Sequence, residues 1–192
     1  MSFDLNQTHA DLGGSPGTVR VPAGTHNCSP ITLAPGQRIV GDGPASVLDF
    51  RGLEGLTLGR HCEVRDCVIA GTGAHGVKIA HNSACWTIDG VRISGFVNNI
   101  ELGYSWVGVI RDVEAVDGGC GLRFTKGKQT STKLEGRCYF GRNKWGMVIA
   151  GMTNMSLMIS GVFEGNSEGG LLFNGDTRQI VVRNAHFECN GP

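Results

Sequence analysis

The sequence is short of most features that would assign it quickly to a common class. Leucine, alanine, glutamate and lysine, the strong helix formers, are too sparse for a helix bundle. No Lys/Arg run exceeds two residues, and 17 basic residues balance 17 acidic ones. Sequence-independent nucleic-acid binding therefore has no electrostatic footprint, and no nucleic-acid partner is expected. The seven cysteines contain no CxxC pair. That argues against a disulfide framework or a zinc knuckle and for buried free thiols made in a reducing compartment. His61, Cys62 and Cys67 lack standard zinc spacing, so neither a metal nor a cofactor is expected. The N-terminus, MSFDLNQTHADLGG, has neither the basic nor the apolar region of a signal peptide, and no apolar stretch reaches transmembrane length.

Glycine is what the sequence has in excess: 31 of 192 residues, not at every third position, so the excess is not collagen-like. A glycine or asparagine followed by alternating apolar residues recurs as GLTL from Gly55, GVKI from Gly76, NIEL from Asn99, GLRF from Gly121, GMVI from Gly146 and GLLF from Gly170. The steps are 21, 23, 22, 25 and 24 residues. Each segment has period two, with Lys78, Glu101 and Arg123 facing outward. Two further strand-like runs fill each repeat, one including Trp86–Ile88 and Val107–Ile110, the next Val91–Ile93 and Val113–Val116. Turn residues lie between them. Hairpin signals at 8–12-residue spacing are missing. The pattern predicts an all-β fold, a single-stranded parallel β-helix of about 7 coils of 21–25 residues with three short strands each. Phe140, Phe163 and Phe187, each followed three residues later by Asn143, Asn166 and Asn190, predict an internal aromatic stack and an asparagine corner ladder. Residues 1–16 are expected to form an N-terminal arm with a reduced helical cap near Asp4–Leu12, and residues 17–192 the β-helix. The glycines are expected at the corners.

The entry segment GTVRVPAGTH, followed by ITLAPGQRIVGDGPASVLDF with its G-x-G turn at Gly41–Gly43, resembles the opening of the pectate-lyase-like right-handed parallel β-helix superfamily. The later coils resemble its generic repeat, so the likeness spans about Gly17 to Pro192. Within it the chain looks most like phage tailspike and virion surface proteins. The resemblance implies right-handed coiling and, for phage members, a homotrimer. It leaves activity open, because lyases, hydrolases, epimerases, tailspikes and non-catalytic virion proteins share the fold.

Chemistry must come from outward groups clustered across coils. Asp66, Asp89, Asp112 and Glu135 recur at 23-residue steps beside Arg65, Arg92, Arg111 and Arg137. A cation or sugar site is one reading. A turn column, with aspartates capping backbone N–H groups and arginines neutralising them, is the favoured one. Catalytic candidates are Glu101, Asp112, Glu114 and Arg123, an acid–base and charge-stabilising set for a polysaccharide lyase or hydrolase built between subunits. GTGAHGVKIAH lacks the spacing of the G-H-G element of polygalacturonase-like hydrolases, which leaves His75 as a corner residue. Tyr104, Trp106 and Trp145 suit a subunit interface or glycan stacking. About six repeats from Gly55 onward make a rod of roughly 30–40 Å, short for a free-standing polysaccharide enzyme, and its last coil is expected to need a covering partner. The functional expectation is a non-catalytic virion structural protein: a capsid decoration, cement or head-spike β-helix. It would assemble in the host cytoplasm, sit on the virion surface and contact a major capsid or tail protein, with binding of cell-surface polysaccharide as a second role. The alternative is a tailspike-like depolymerase or a fragment of one.

Overall fold

A computed structural model describes residues 3–125, 129–150, 153–175 and 177–191; Met1, Ser2 and Pro192 of the expected segments lie outside these. The chain is a parallel β-solenoid of about seven turns, a single-stranded right-handed β-helix. Every registered strand pair is parallel, and each joins a coil to its neighbour.

Three faces run along the solenoid. The first stacks Gly17–Val21, Gln37–Gly41, Glu63–Arg65, Thr87–Asp89, Val109–Arg111 and Lys133–Glu135. The second stacks Gly24–Asn27, Ser46–Asp49, Val68–Ala70, Arg92–Ser94, Glu114–Val116 and Tyr139–Gly141. The long strands Thr153–Glu164 and Thr177–Glu188 turn the corner and serve both faces. The third face holds seven strands, from Ile31–Leu33 to Gly169–Asn174. The short strands Ser83–Ala84, Ser105–Trp106 and Gln129–Thr130 stack between the third face and the first.

Alternation along each strand sends one side chain in per step, so the core is a set of ladders. Ile39, Val64, Ile88, Ile110 and Leu134 are in register on the first face. Leu48, Ile69, Ile93, Ala115, Phe140, Phe163 and Phe187 are in register on the second. All but Phe187, in the last coil, are buried. Each fully buried large apolar side chain contributes about 1.5–3 kcal/mol. The helix Leu5–Ala10, capped at its N-terminus by Asp4, buries Leu5 against the first coil. Asn6 exchanges hydrogen bonds with Ser29 (3.1 and 3.0 Å), so this part of the expected arm folds back as a lid.

The asparagine ladder forms as the spacing predicts. Asn143 N–H donates to Asn166 Oδ1 (3.1 Å) and Asn166 N–H to Asn190 Oδ1 (3.2 Å). The amides return to the aromatic rungs: Asn166 Nδ2 donates to the Phe140 carbonyl (2.9 Å) and Asn190 Nδ2 to that of Phe163 (2.8 Å). Phe140 and Phe163 stack at 5.2 Å, Phe163 and Phe187 at 4.9 Å. Phe96 and Asn99, though spaced alike, are not rungs of this ladder: Ile93 stands in register with Phe140 through Ala115, and Asn99 takes the position of the repeat glycines Gly76 and Gly121. Asn99 Nδ2 reaches across one coil to Asn143 Oδ1 (3.1 Å), because that coil carries Gly118 at the corner and leaves room.

The repeat glycines are not the corner residues. Gly76, Gly121, Gly146 and Gly170 lie within third-face strands and have no left-handed φ. A side chain there would meet the ladder of the next coil: Gly121 the Phe140 ring at 3.1 Å, Gly146 that of Phe163 at 2.9 Å, Gly170 that of Phe187 at 2.7 Å. Glycine is kept because the next coil crowds the position, with a carbonyl oxygen nearest at Gly121 (2.6 Å) and Gly146 (2.5 Å) and the phenylalanine ring beside it. The left-handed corners are filled by mixed residues. After the first face they are Asp66, Gly90, Asp112, Gly136, Gly161 and Asn184. After the second come Arg51, Gly95, Asp117, Arg142, Gly165 and Cys189, and before the first Gly36, His61, Cys85, Val107, Ser131 and Gln179. Aspartate and asparagine tolerate this conformation by local hydrogen bonding, whereas a β-branched residue such as Val107 is strained in it.

Candidate functional site

The 23-residue carboxylate column separates into two rows. At the corner, aspartate alternates with glycine, and a side chain at Gly90 or Gly136 would run into the carboxylate of Asp66 or Asp112. Each aspartate leans over the glycine of the next coil. Asp112 Oδ1 accepts the Arg137 backbone N–H at 2.7 Å, which is the capping role anticipated for it. One residue earlier, Arg65, Asp89, Arg111 and Glu135 stand in register on the strands. Arg111 bridges Asp89 (3.5 Å) and Glu135 (3.2 Å). The slip arises because the core steps Val64–Ile88–Ile110–Leu134 are 24, 22 and 24 residues. Carboxylates thus alternate with cations or glycines instead of stacking on one another.

The four catalytic candidates occupy two places. Asp112 and Glu114 line a groove of about 390 Å³ at the first corner, with Arg137, Tyr139 and Arg142. Arg92 pairs with Glu114 at 3.3 Å. Arg142 donates to both oxygens of Asp117 (2.7 and 3.0 Å), and this holds the Asp117 carboxyl below its ordinary range. Burial, then the nearby Glu164 carboxylate, pushes the Tyr139 phenol upward. Glu101 and Arg123 lie instead in register on the third face, away from that groove. Glu101 is held by Lys78 Nζ (3.4 Å) and Asn98 Nδ2 (3.0 Å). Within one chain the four do not meet.

His75 opens the strand His75–Ile79 and is buried, not a corner residue. Its Nε2 lies 3.4 Å from Glu54, yet burial outweighs that carboxylate and lowers its pKa, keeping the imidazole neutral. Among the aromatic candidates, Tyr104 and Trp106 meet edge to face at 5.4 Å. His81 lies 5.1 Å from Tyr104, and the Arg60 guanidinium sits 6.0 Å over the Trp106 ring. Trp145 is on the third face, lying against Gly169 of the next coil, and belongs to no group with the other two. Five thiols are buried, as expected, but Cys85 and Cys189 sit on left-handed corners and are exposed.

Arg137, Tyr139 and Arg142, which complete the corner groove, carry no motif of their own. They emerge only when strands are aligned pairwise across a 25-residue step. Among the described residues no three His, Cys, Asp or Glu side chains converge to hold a metal ion, and no helix is long and apolar enough to cross a membrane. No family model, no curated protein and no solved structure matches the chain.

Proposed function

We propose that the chain is a non-catalytic structural β-helix of phage type, a capsid decoration, cement or head-spike protein that works by rigid display. The resemblance of its entry segment and coils to pectate-lyase-like virion proteins supplies the class. The carrying observation is the disposition of charge. Four of the outward acids, Glu63, Asp89, Glu101 and Glu114, are each in an ion pair with a cation of the same or a neighbouring coil. The acid–base candidates are also divided between two faces. A surface arranged in this way holds its shape and ties these four carboxylates to cations instead of leaving them free for hydrolysis. A homotrimer has a candidate seam on the first face, where Met158 and Val181 are 43 and 42% exposed, beside the exposed Val107 corner. A groove of about 420 Å³ opens there between Lys133, Leu157, Met158 and Val181. Sedimentation equilibrium tests this: wild type should be trimeric and Met158→Glu/Val181→Glu monomeric. A monomeric wild-type protein with no affinity for capsid particles overturns the proposal.

One observation favours a second reading, a depolymerase. The groove of Asp112, Glu114 and Tyr139 brings two carboxylates and a perturbed phenol beside Arg137. Release of reducing ends or unsaturated uronates from capsule polysaccharides, abolished by Glu114→Gln, would establish it. Absence of release across a broad panel removes it.

A further inference from the structure

Among the described residues, three buried side-chain polar atoms lack a hydrogen-bond partner: Trp86 Nε1, Ser105 Oγ and Thr132 Oγ1. They belong to three different coils or corners, and the register brings them together. Thr87, Val109 and Lys133 are successive partners on the first face, so Trp86, Gly108 and Thr132, one residue earlier, form a column. The backbone confirms it: Val109 N–H donates to the Trp86 carbonyl (3.1 Å) and Lys133 N–H to that of Gly108 (3.0 Å). The middle rung is glycine. A side chain on Gly108 would fall on the indole, 2.5 Å from Cη2 and closer still to Cε2, the carbon bonded to Nε1. The Trp86 ring therefore occupies the space that a Gly108 side chain would take, one rung below Thr132. Ser105, also fully buried, precedes Gly108 by three residues around the left-handed Val107 corner, at the same level. Ser83, directly beneath Ser105 in the short stack, has found a carbonyl, that of Leu58 (3.4 Å); Ser105 has not.

The geometry points to an internal hydration site under the Val107 corner, where one ordered water accepts from Trp86 Nε1–H and bonds the hydroxyls of Ser105 and Thr132. An indole N–H can only donate, and a hydroxyl can donate and accept, so the three supply the mixed set a buried water uses. Two to four polar partners is the usual complement of such a water. Leaving all three groups dry would incur a desolvation penalty at each. The water links three successive coils at the corner that carries Tyr104 and Trp106. It thereby holds that outward aromatic pair in place, independently of what the pair contacts.

The test is nuclear magnetic resonance on the intact, ¹⁵N-labelled protein. The Trp86 indole N–H, the fully buried one of three indoles, should show a direct cross-relaxation peak to a long-lived water and slow exchange. Thr132→Val keeps the shape and removes the hydroxyl. It should shift the Trp86 indole resonance, weaken its water peak and lower Tm; Ser105→Ala should do the same. A water-free indole, or a direct Trp86–Thr132 hydrogen bond, overturns the proposal. So does a raised Tm in Thr132→Val, which is what replacing a dry, unpaired hydroxyl with a methyl group would produce. If Thr132→Val does not fold, the wild-type cross-relaxation spectrum alone decides.

Discussion

Gly146 and Gly170 occupy the same position in successive repeats, and alanine there should have unequal consequences. Neither glycine has a left-handed φ, so the backbone accepts alanine at both. Alanine would restrict the unfolded chain and add about 0.4–1 kcal/mol of stability where space allows. At Gly146 space does not allow it. The new Cβ would stand 2.5 Å from the Gly170 carbonyl oxygen, 2.9 Å from the Phe163 ring and 3.0 Å from Asn166 Nδ2. Two of these belong to a fully buried ladder and the third to backbone, so none yields cheaply. Overpacking of this kind costs about 1–3 kcal/mol, and the net loss should be about 1–2 kcal/mol after the entropic offset. At Gly170 the nearest atoms to the Cβ belong to the Phe187 and Asn190 side chains, not to backbone, and Phe187 is 46% exposed and can shift. Gly170→Ala should cost less than Gly146→Ala, about 1 kcal/mol or below, because the displaced Phe187 ring stacks on Phe163 from one side only. Guanidinium unfolding followed by far-ultraviolet circular dichroism measures both, with equal slopes required for the comparison. If Gly146→Ala is neutral or stabilising, the carbonyl and ring above it are not what keep glycine there, and the explanation for the repeat glycines is wrong.

Other outcomes follow from the same contacts. Asn166→Ala strips the buried partners of Asn143 N–H and the Phe140 carbonyl and should cost about 2–6 kcal/mol in the same unfolding experiment, one desolvation penalty for each orphaned group. Arg111→Gln breaks two ion pairs on an exposed row and should cost no more than about 1 kcal/mol, a difference that 0.5 M salt erases. Titration of the native protein with a thiol reagent should modify Cys85 and Cys189 rapidly and the other five only on unfolding. Burial places Cys28, Cys67 and Cys120 thiols at about 12, far from the reactive thiolate. His75 has a folded pKa below its ordinary 6.5, so below that pH the unfolded chain binds more protons. Stability should therefore fall as pH drops from about 6.5 towards the lowered value and stay flat above it. In His75→Asn that segment of the melting-midpoint profile should flatten.

The fold was legible because a solenoid writes its geometry into the sequence as a period. Ladder residues are constrained by identical neighbours above and below, so Phe140, Phe163 and Phe187 betray their stacking without any knowledge of the rest of the chain. What the period hid was the reason for the glycines. A glycine beside a turn and one beneath a ring look alike in sequence, and only the absence of a left-handed φ at Gly121 and Gly146 separates them. The non-glycine corners escaped notice for the opposite reason. His61, Cys85, Val107 and Arg142 are not turn-forming types, and the coil above and below imposes their conformation.

The chemistry was harder to read because coils vary by a residue or two, and side-chain clusters depend on register to the single residue. Four acids at 23-residue steps suggested one column. The core repeats at 24, 22 and 24 residues, so Asp66 and Asp112 stay at the corner while Asp89 and Glu135 move onto the strand beside Arg111. One slipped residue turns a row of like charges, which would repel and invite a cation, into an alternating row that neutralises itself. The same sensitivity divides Asp112 and Glu114 from Glu101 and Arg123, since eleven residues from Glu101 to Asp112 carry the chain around two corners. In a solenoid, nearness in sequence therefore says little about a shared site. Positions one full coil apart do share one, and there each outward carboxylate of the first-face row meets an arginine.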